Sequence, residues 1–264
     1  MFLSRWRYYV RSIPALFLGV KNWPAMLALF LKLPITTPLL IHLRSRLHFK
    51  VRTAMDVWII KETCLDRDYE RVGVPLQAGW TVVDIGAGLG DFTVYASRAV
   101  AHGMVYAIEP SPDSLQLLHE NVALNGCTNV KAFPYAISST DQGLSLDVGS
   151  GVAVKYHTIG TEATSTDTTV QVQGKTLRVF FMEQTIKRCD FLKMDCEGAE
   201  FDILLNVDPA VLQCIQHLCL EYHNGVTPFS HIDLMKHLMD HGFQVRRIPN
   251  PAHQTIGFLY ATRR

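Results

Sequence analysis

Along the chain the apolar positions change period more than once. Residues 1 to 47 carry them at helical spacing, with Pro14, Pro24, Pro34 and Pro38 expected to break the run. Residues 48–52 read as a short strand, and 56–71 as a helix stopping near Gly73. Beyond Gly79 the texture becomes strand, turn and helix in repetition. Residues 80–85, Met104–Ile108, 130–137, Cys189–Met194 and 217–222 are compact apolar runs of strand length. Between them Asp91–Val100, the segment opened by Ser111-Pro112, and 230–241 have helical spacing and end at Gly103, Asn125-Gly126 and Gly242. A further helix follows Cys189–Met194 through Leu205, and Asp208-Pro209 starts a short one. Residues 138–180, rich in Ser, Thr, Gly and Val, show no helical period and are expected as a β-hairpin or loops. Residues 243–248 and 256–262 alternate and are expected as a terminal antiparallel pair. Buried strands alternating with helices predict an α/β fold with a mostly parallel sheet covered on both faces.

A length of 264 residues with 48% hydrophobic and 19% charged positions suits one large α/β domain with a modest appendage. The expected division is an N-terminal helical segment, 1–47, and a ligand-binding domain, 48–264. The six cysteines, at 64, 127, 189, 196, 214 and 219, form no CxxC pair, which argues for free thiols in a reducing, cytoplasmic setting. Net charge is only +1, but residues 1–55 hold nine Lys and Arg and no acid, whereas from Asp56 onward 16 bases face 24 acids. An acidic body is a poor surface for many phosphate contacts, so a nucleic-acid partner is excluded. Lys21 and Lys32 interrupt the apolar runs of the front segment, so no spanning helix is expected there. Two readings of residues 1–47 stay open: a cap over the larger domain, or a segment resting peripherally on the inner face of an anionic membrane. Nothing in the sequence sets the oligomeric state.

The chemistry gathers at strand ends. Val82-Val83-Asp84-Ile85-Gly86-Ala87-Gly88-Leu89-Gly90 is a strand followed by G-x-G-x-G, not the G-x-G-x-x-G of dinucleotide enzymes. Asp91, where a helix N-terminus would face a pyrophosphate, disfavours such an anion. An adenosyl ligand with a methionine-like tail has no phosphate there, so the spacing favours S-adenosylmethionine over NAD, with Asp84 expected near the ammonium and sulfonium. Glu109, at the end of the next strand, is placed to accept ribose hydroxyls. The expected cofactor contacts are Asp84, Gly86, Ala87, Gly88, Gly90, Thr93, Glu109, Pro110 and Asp195.

Asp195, Glu197 and Glu200 crowd a strand-to-helix junction, and Glu221 and His223 close the following strand on one side of it. Asp195 is expected toward the reactive end of the cofactor and Glu197 toward the substrate. Glu200 is balanced between a role in the site and a structural one. His223 is the candidate general base for a substrate hydroxyl. Asp195, Glu221 and His223 also offer donors for a divalent ion, but no metal is assigned. Cys196, between two acids, is no nucleophile, and no Asn-Pro-Pro-aromatic or Asp-Pro-Pro-aromatic sequence follows the fourth strand. Attack by a hydroxyl oxygen is the simplest chemistry left. The rival readings are an NAD-dependent oxidoreductase and a scaffold that keeps the fold without activity.

Asp84-Ile-Gly-Ala-Gly-Leu-Gly-Asp-Phe-Thr93, Ile108-Glu-Pro-Ser-Pro112 with Asn121 and Asn125, Leu192-Lys-Met-Asp-Cys-Glu-Gly-Ala-Glu200 and Leu220-Glu-Tyr-His223 together resemble the FkbM family of methyltransferases. The resemblance spans roughly residues 48–262 and leaves 1–47 outside it. It implies a Rossmann-like class I methyltransferase fold, a seven-stranded sheet with a reversed last strand, and S-adenosylmethionine as methyl donor. It also implies O-methylation of a small-molecule or glycan hydroxyl on a sugar, glycolipid or polyketide-type metabolite. Residues 179–186 lack the Thr-Leu-Asp usual before the fourth strand, so that stretch is expected to be built differently.

Overall fold

The computed structural model describes residues 2–147, 155–158, 169–250 and 252–264. The chain opens with helices α1 (Phe2–Gly19) and α2 (Trp23–Phe30), then a hairpin of β1 (Leu39–His42) and β2 (His48–Val51). Pro14 does not break α1 but lies inside it. It is exposed, so water can take the carbonyl that it leaves without a donor. Pro24 sits in the first turn of α2, where a missing N–H costs nothing.

The limit expected between residues 47 and 48 falls within the hairpin, because Leu39–His42 pairs residue for residue with His48–Val51. Helix α3 (Ala54–Ile60) follows, held at its start by a reciprocal Thr53–Asp56 capping box. The helix expected over 56–71 ends early: Lys61–Asp66 widens into a π-helical turn, and Arg67 leaves it in a left-handed conformation (φ 58°).

The strands and helices of the next region are β3 (Thr81–Ile85), α4 (Asp91–Val100), β4 (Met104–Ile108), α5 (Pro112–Leu124) and β5 (Val130–Phe133). Ser111 stands at the N-cap of α5 without a side-chain cap bond. The strand expected over 130–137 is two pieces, since Ala136–Ile137 (β6) pairs into another sheet with β7 (Gly143–Asp147), β8 (Lys155–Thr158) and β9 (Thr169–Lys175). The β-hairpin expected within 138–180 is present as β7–β8, and the rest of that stretch from 159 to 168 lies outside the described residues. Its end is helical: α6 (Leu177–Glu183) is capped by Thr176 and buries Leu177, Phe180 and Phe181. Seven residues give too short a window for a helical period to show.

The chain completes itself with β10 (Cys189–Met194), α7 (Ala199–Leu205), α8 (Pro209–Cys214), β11 (Ile215–His223), α9 (His231–Asp240), β12 (Phe243–Pro249) and β13 (Ile256–Arg263). Strands β12, β13, β11, β10, β3, β4 and β5 form the main sheet in that order. Neighbours from β11 to β5 run parallel, and β13 runs against both β11 and β12. This is the seven-stranded sheet with a reversed last strand. In such a sheet the strand order turns at β3–β10, and ligands settle beyond the carboxyl ends at that point.

Three asparagines bind the N-terminal hairpin to its surroundings. Asn22 donates to Leu40 O (2.7 Å) and accepts from His42 N (2.9 Å), while Asn121 accepts from Lys50 N (2.7 Å) and Asn125 from His48 N (2.9 Å). The open edges of β1 and β2 are thus paired by side chains. Leu16, Val20, Met26, Ile41 and Phe49 then share one buried cluster with Leu89, Val94 and Leu117 from the larger domain.

Candidate active site

The loop after β3 is shaped by what lies under it. A Cβ on Gly86 (φ 71°) would stand 1.8 Å from the carbonyl oxygen of Asp195, so only glycine lets the loop lie on the end of β10. Gly88 is the opposite case, because a Cβ there would meet no heavy atom within 4 Å. Its backbone faces open space above the sheet. Ala87 is buried against Ala107 and Leu118, and Gly90 starts α4 in a left-handed conformation.

Glu109 follows β4 and is 5% exposed. It accepts from Gly88 N (2.7 Å) and Ser111 N (2.9 Å), which fixes the carboxylate beside the open loop. Burial raises its pKa, and those two amides oppose the rise. Pro110 beside it is buried.

Asp84 does not face that space. It is fully buried, accepts from Thr93 Oγ1 (2.6 Å), and lies 3.1 Å from Lys193 Nζ. Its charge already faces Lys193, which stands against a direct contact with the ligand's ammonium. Lys193 also donates to Gly86 O (2.7 Å), so Asp84, Thr93 and Lys193 form an internal strut under the loop. Burial works against the charge on Lys193, but Asp84, Asp195 and Asp91 outweigh it and raise its pKa. Asp91 is buried too, accepts from the Thr63 hydroxyl, and is pushed up to about 6 mainly by burial.

The second group stands at the ends of β10 and β11. Asp195 accepts from Tyr69 OH at Oδ2 (3.2 Å) and keeps Oδ1 buried without a partner. Glu197 takes a left-handed backbone (φ 53°), and its side chain is partly open to solvent. His223 Nε2 is 3.3 Å from Glu197, and Nδ1 is 2.9 Å from Glu200 Oε1, which also accepts from His223 N (2.8 Å). Glu200 is fully buried, and its other oxygen takes Gly198 N (2.8 Å). The structure thereby places Glu200 within the site, as the group that orients the histidine ring.

Burial disfavours charge on His223, yet the hydrogen bond and charge of Glu200, with Asp195 and Glu197, raise its pKa to about 10. A general base needs a neutral ring. That rise works against a role for the free ring as proton acceptor. Cys196 is 3% exposed and its thiol is pushed up by burial, which leaves no nucleophile there.

Glu221 points into a cleft beside this group, lined also by Tyr8, Glu62, Asp68, Phe258 and Tyr260. The Tyr8 hydroxyl donates to Glu62, so α1 forms one wall. Sequence reasoning missed Lys193, Tyr69 and Glu62. Lys193 sits opposite Asp84 in the β10–β3 register, a relation that appears only once the strands are paired.

The Methyltransferase FkbM domain model matches residues 84–245, which take in the glycine loop, Glu109 and the whole β10–β11 group. The chain belongs to the FkbM methyltransferase family. It is similar to methyltransferase sdnD of Sordaria araneosa, 25% identical over 241 residues that cover 80% of this chain and 91% of the relative. It is also similar to Methyltransferase 1 of Beauveria bassiana, 28% identical over 182 residues, 62% of this chain and 72% of the relative. Among solved structures, methyltransferase FkbM from Methylobacillus flagellatus shares the fold with a TM-score of 0.52 at 15% identity, over 91% of this chain and 59% of that one.

Membership of this family makes S-adenosylmethionine the cofactor and sets NAD aside. The residues fit it: Gly88 leaves open space, and Glu109 holds an oriented carboxylate at its rim.

Proposed function

We propose that this methyltransferase O-methylates a hydroxyl of a sugar, glycolipid or polyketide-type acceptor. The observation that carries the reading is the contact of Gly86 with Asp195, which seats the glycine loop directly against the group of Asp195, Glu197 and His223. When bound, S-adenosylmethionine would supply an electrophilic methyl group for transfer to the acceptor oxygen, the C–S bond electrons leaving with sulfur. Glu109 would hold the ribose hydroxyls, with the backbone of Gly86–Gly88 beside the cofactor. Asp195, Glu197 and His223 would orient the acceptor hydroxyl, and alignment would supply most of the acceleration. Its proton leaves through the carboxylate-lined side of the site. The neighbouring cleft, with Glu62, Asp68 and Glu221, offers acceptors for further hydroxyls of a polyhydroxylated substrate.

The test is methyl transfer from isotopically labelled cofactor to matched hydroxyl and amine acceptors. The expected product is an alkali-stable methyl ether. His223→Ala should lower turnover by about 10²-fold, from lost orientation of the acceptor, with S-adenosylhomocysteine affinity intact. Label on nitrogen, or normal turnover in the variant, overturns the reading.

A second reading concerns where the enzyme works. Ile13, Leu18, Trp23, Phe30, Leu31 and Leu33 are exposed on α1, α2 and the turn after them, among Lys21 and Lys32 and without a single acid. Among the described residues no helix is long and apolar enough to cross a membrane. We read this face as resting on anionic lipid, the apolar side chains below the headgroups and the cations among them. Cosedimentation with phosphatidylserine vesicles, lost in high salt and absent with phosphatidylcholine alone, is the expected result. Equal recovery with both lipids removes the reading.

A further inference from the structure

One imidazole at the ends of β10 and β11 is ringed by carboxylates. Asp195, Glu197 and Glu200 all reach toward it, and Glu221 lies two residues away on the same strand. Lys193, buried close by, is already committed to Asp84 and the Gly86 carbonyl.

The geometry supplies what a metal ion needs. One donor atom each from Asp195, Glu197 and His223 lies within 4.8 Å of the others, so a small shift of side chains lets all three reach one ion. Asp195 Oδ1 is buried and takes no hydrogen bond from the protein. The remaining nitrogen of His223, Nδ1, is hydrogen-bonded to the fully buried Glu200. A carboxylate on the far nitrogen is the support that ligating histidines characteristically have, since it fixes the tautomer and aims Nε2. Glu200 is itself held by Gly198 N and His223 N, so the ring has little freedom to turn.

We propose that Asp195, Glu197 and His223 bind a divalent cation of the Mn²⁺ type, with Glu200 as the positioning residue. Two carboxylates and one imidazole suit an ion that accepts both oxygen and nitrogen, more than Mg²⁺ or Ca²⁺, which prefer oxygen alone. Three protein ligands leave coordination positions open toward the side where Glu197 meets solvent. This inference rests on the hydroxyl-acceptor reading and deepens it, because an ion there takes the acceptor's hydroxyl as a further ligand. The bound hydroxyl becomes more acidic and releases its proton to water. The ligand set differs from the one that sequence alone suggested, with Glu197 in place of Glu221.

Titration of the full chain, free of cofactor and acceptor, with Mn²⁺ alone and followed by electron paramagnetic resonance tests the site. One ion should bind per chain, with Mg²⁺ competing at least tenfold less well. Glu197→Gln, a change at a partly exposed side chain, should weaken binding at least tenfold, and His223→Ala should abolish it. Glu200→Gln should weaken it about 10- to 100-fold through ring orientation, while Glu120→Gln, on the outside of α5, should bind as the wild type does. No suppression of the Mn²⁺ signal by wild type, or equal binding by Glu197→Gln, overturns the site. Separately, methyl transfer to a hydroxyl acceptor should stop in chelator and return with Mn²⁺. Turnover indifferent to chelator overturns the role toward the acceptor, even where the ion binds. Thermal shift with S-adenosylhomocysteine, run without metal, reads the methyltransferase assignment independently of both.

Discussion

The β10–β11 junction and the α1–α2 helices manage burial in opposite ways. At the junction and under the glycine loop beside it, charged groups are taken out of water: Glu200 and Asp84 are fully buried and held by fixed donors. On α1 and just past α2, apolar groups are left in water, with Leu18 73% and Leu31 61% exposed. Neither arrangement serves the stability of an isolated chain. A buried ion pair is often no better for folding than packed hydrocarbon, and an exposed apolar row forfeits burial energy. Both are departures from the usual inside–outside rule, in opposite directions.

The comparison is broken most strongly at Asp84. Asp84→Ala leaves Lys193 buried without its partner and should cost about 3–5 kcal/mol of stability, read as a shift in denaturant midpoint. If the variant instead keeps full stability and loses only cofactor affinity, Asp84 faces the ligand and the strut is wrong. Glu109→Ala sharpens the contrast, since its carboxylate lies beside open space. Affinity for S-adenosylhomocysteine should fall by about 1–3 kcal/mol in calorimetry, and unchanged affinity would remove Glu109 from the cofactor site. The smallest effect on folding belongs to the exposed face. Leu18→Ser with Leu31→Ser should change stability by no more than about 0.5 kcal/mol while cosedimentation with phosphatidylserine vesicles disappears. A large loss of stability there would mean that the face packs against protein.

Much of the fold was legible because periodicity is local. The strands at β3, β4, β10 and β11 are continuous apolar runs, and their alternation with helices leaves few ways to assemble a sheet. The elements misjudged were those whose limits depend on contacts far away. The π-helical turn at Lys61–Asp66 puts Lys61 against Asp66 and Tyr8, and nothing in residues 56–71 alone announces it. The hairpin joining β1 to β2 crosses the expected domain limit because its edges are satisfied by Asn121 and Asn125, seventy residues and more downstream.

The sequence by itself determined which residue types stand at the strand ends, and through the glycine spacing and the acids at 109, 195 and 197 it determined the family. Those are facts of order along one chain. Which acids face a ligand and which face one another was decided only by tertiary structure. Asp84 and Glu109 look alike as carboxylates at or just beyond strand ends, but the β10–β3 register sets Lys193 opposite the first, and the open side of Gly88 lies beside the second. Glu200 looked as much like a helix residue as a site residue until β11 brought His223 within 2.9 Å of it. The physical reason is that charge and hydrogen bonding act through space over a few ångströms, and only the fold says which groups, distant in sequence, come that close.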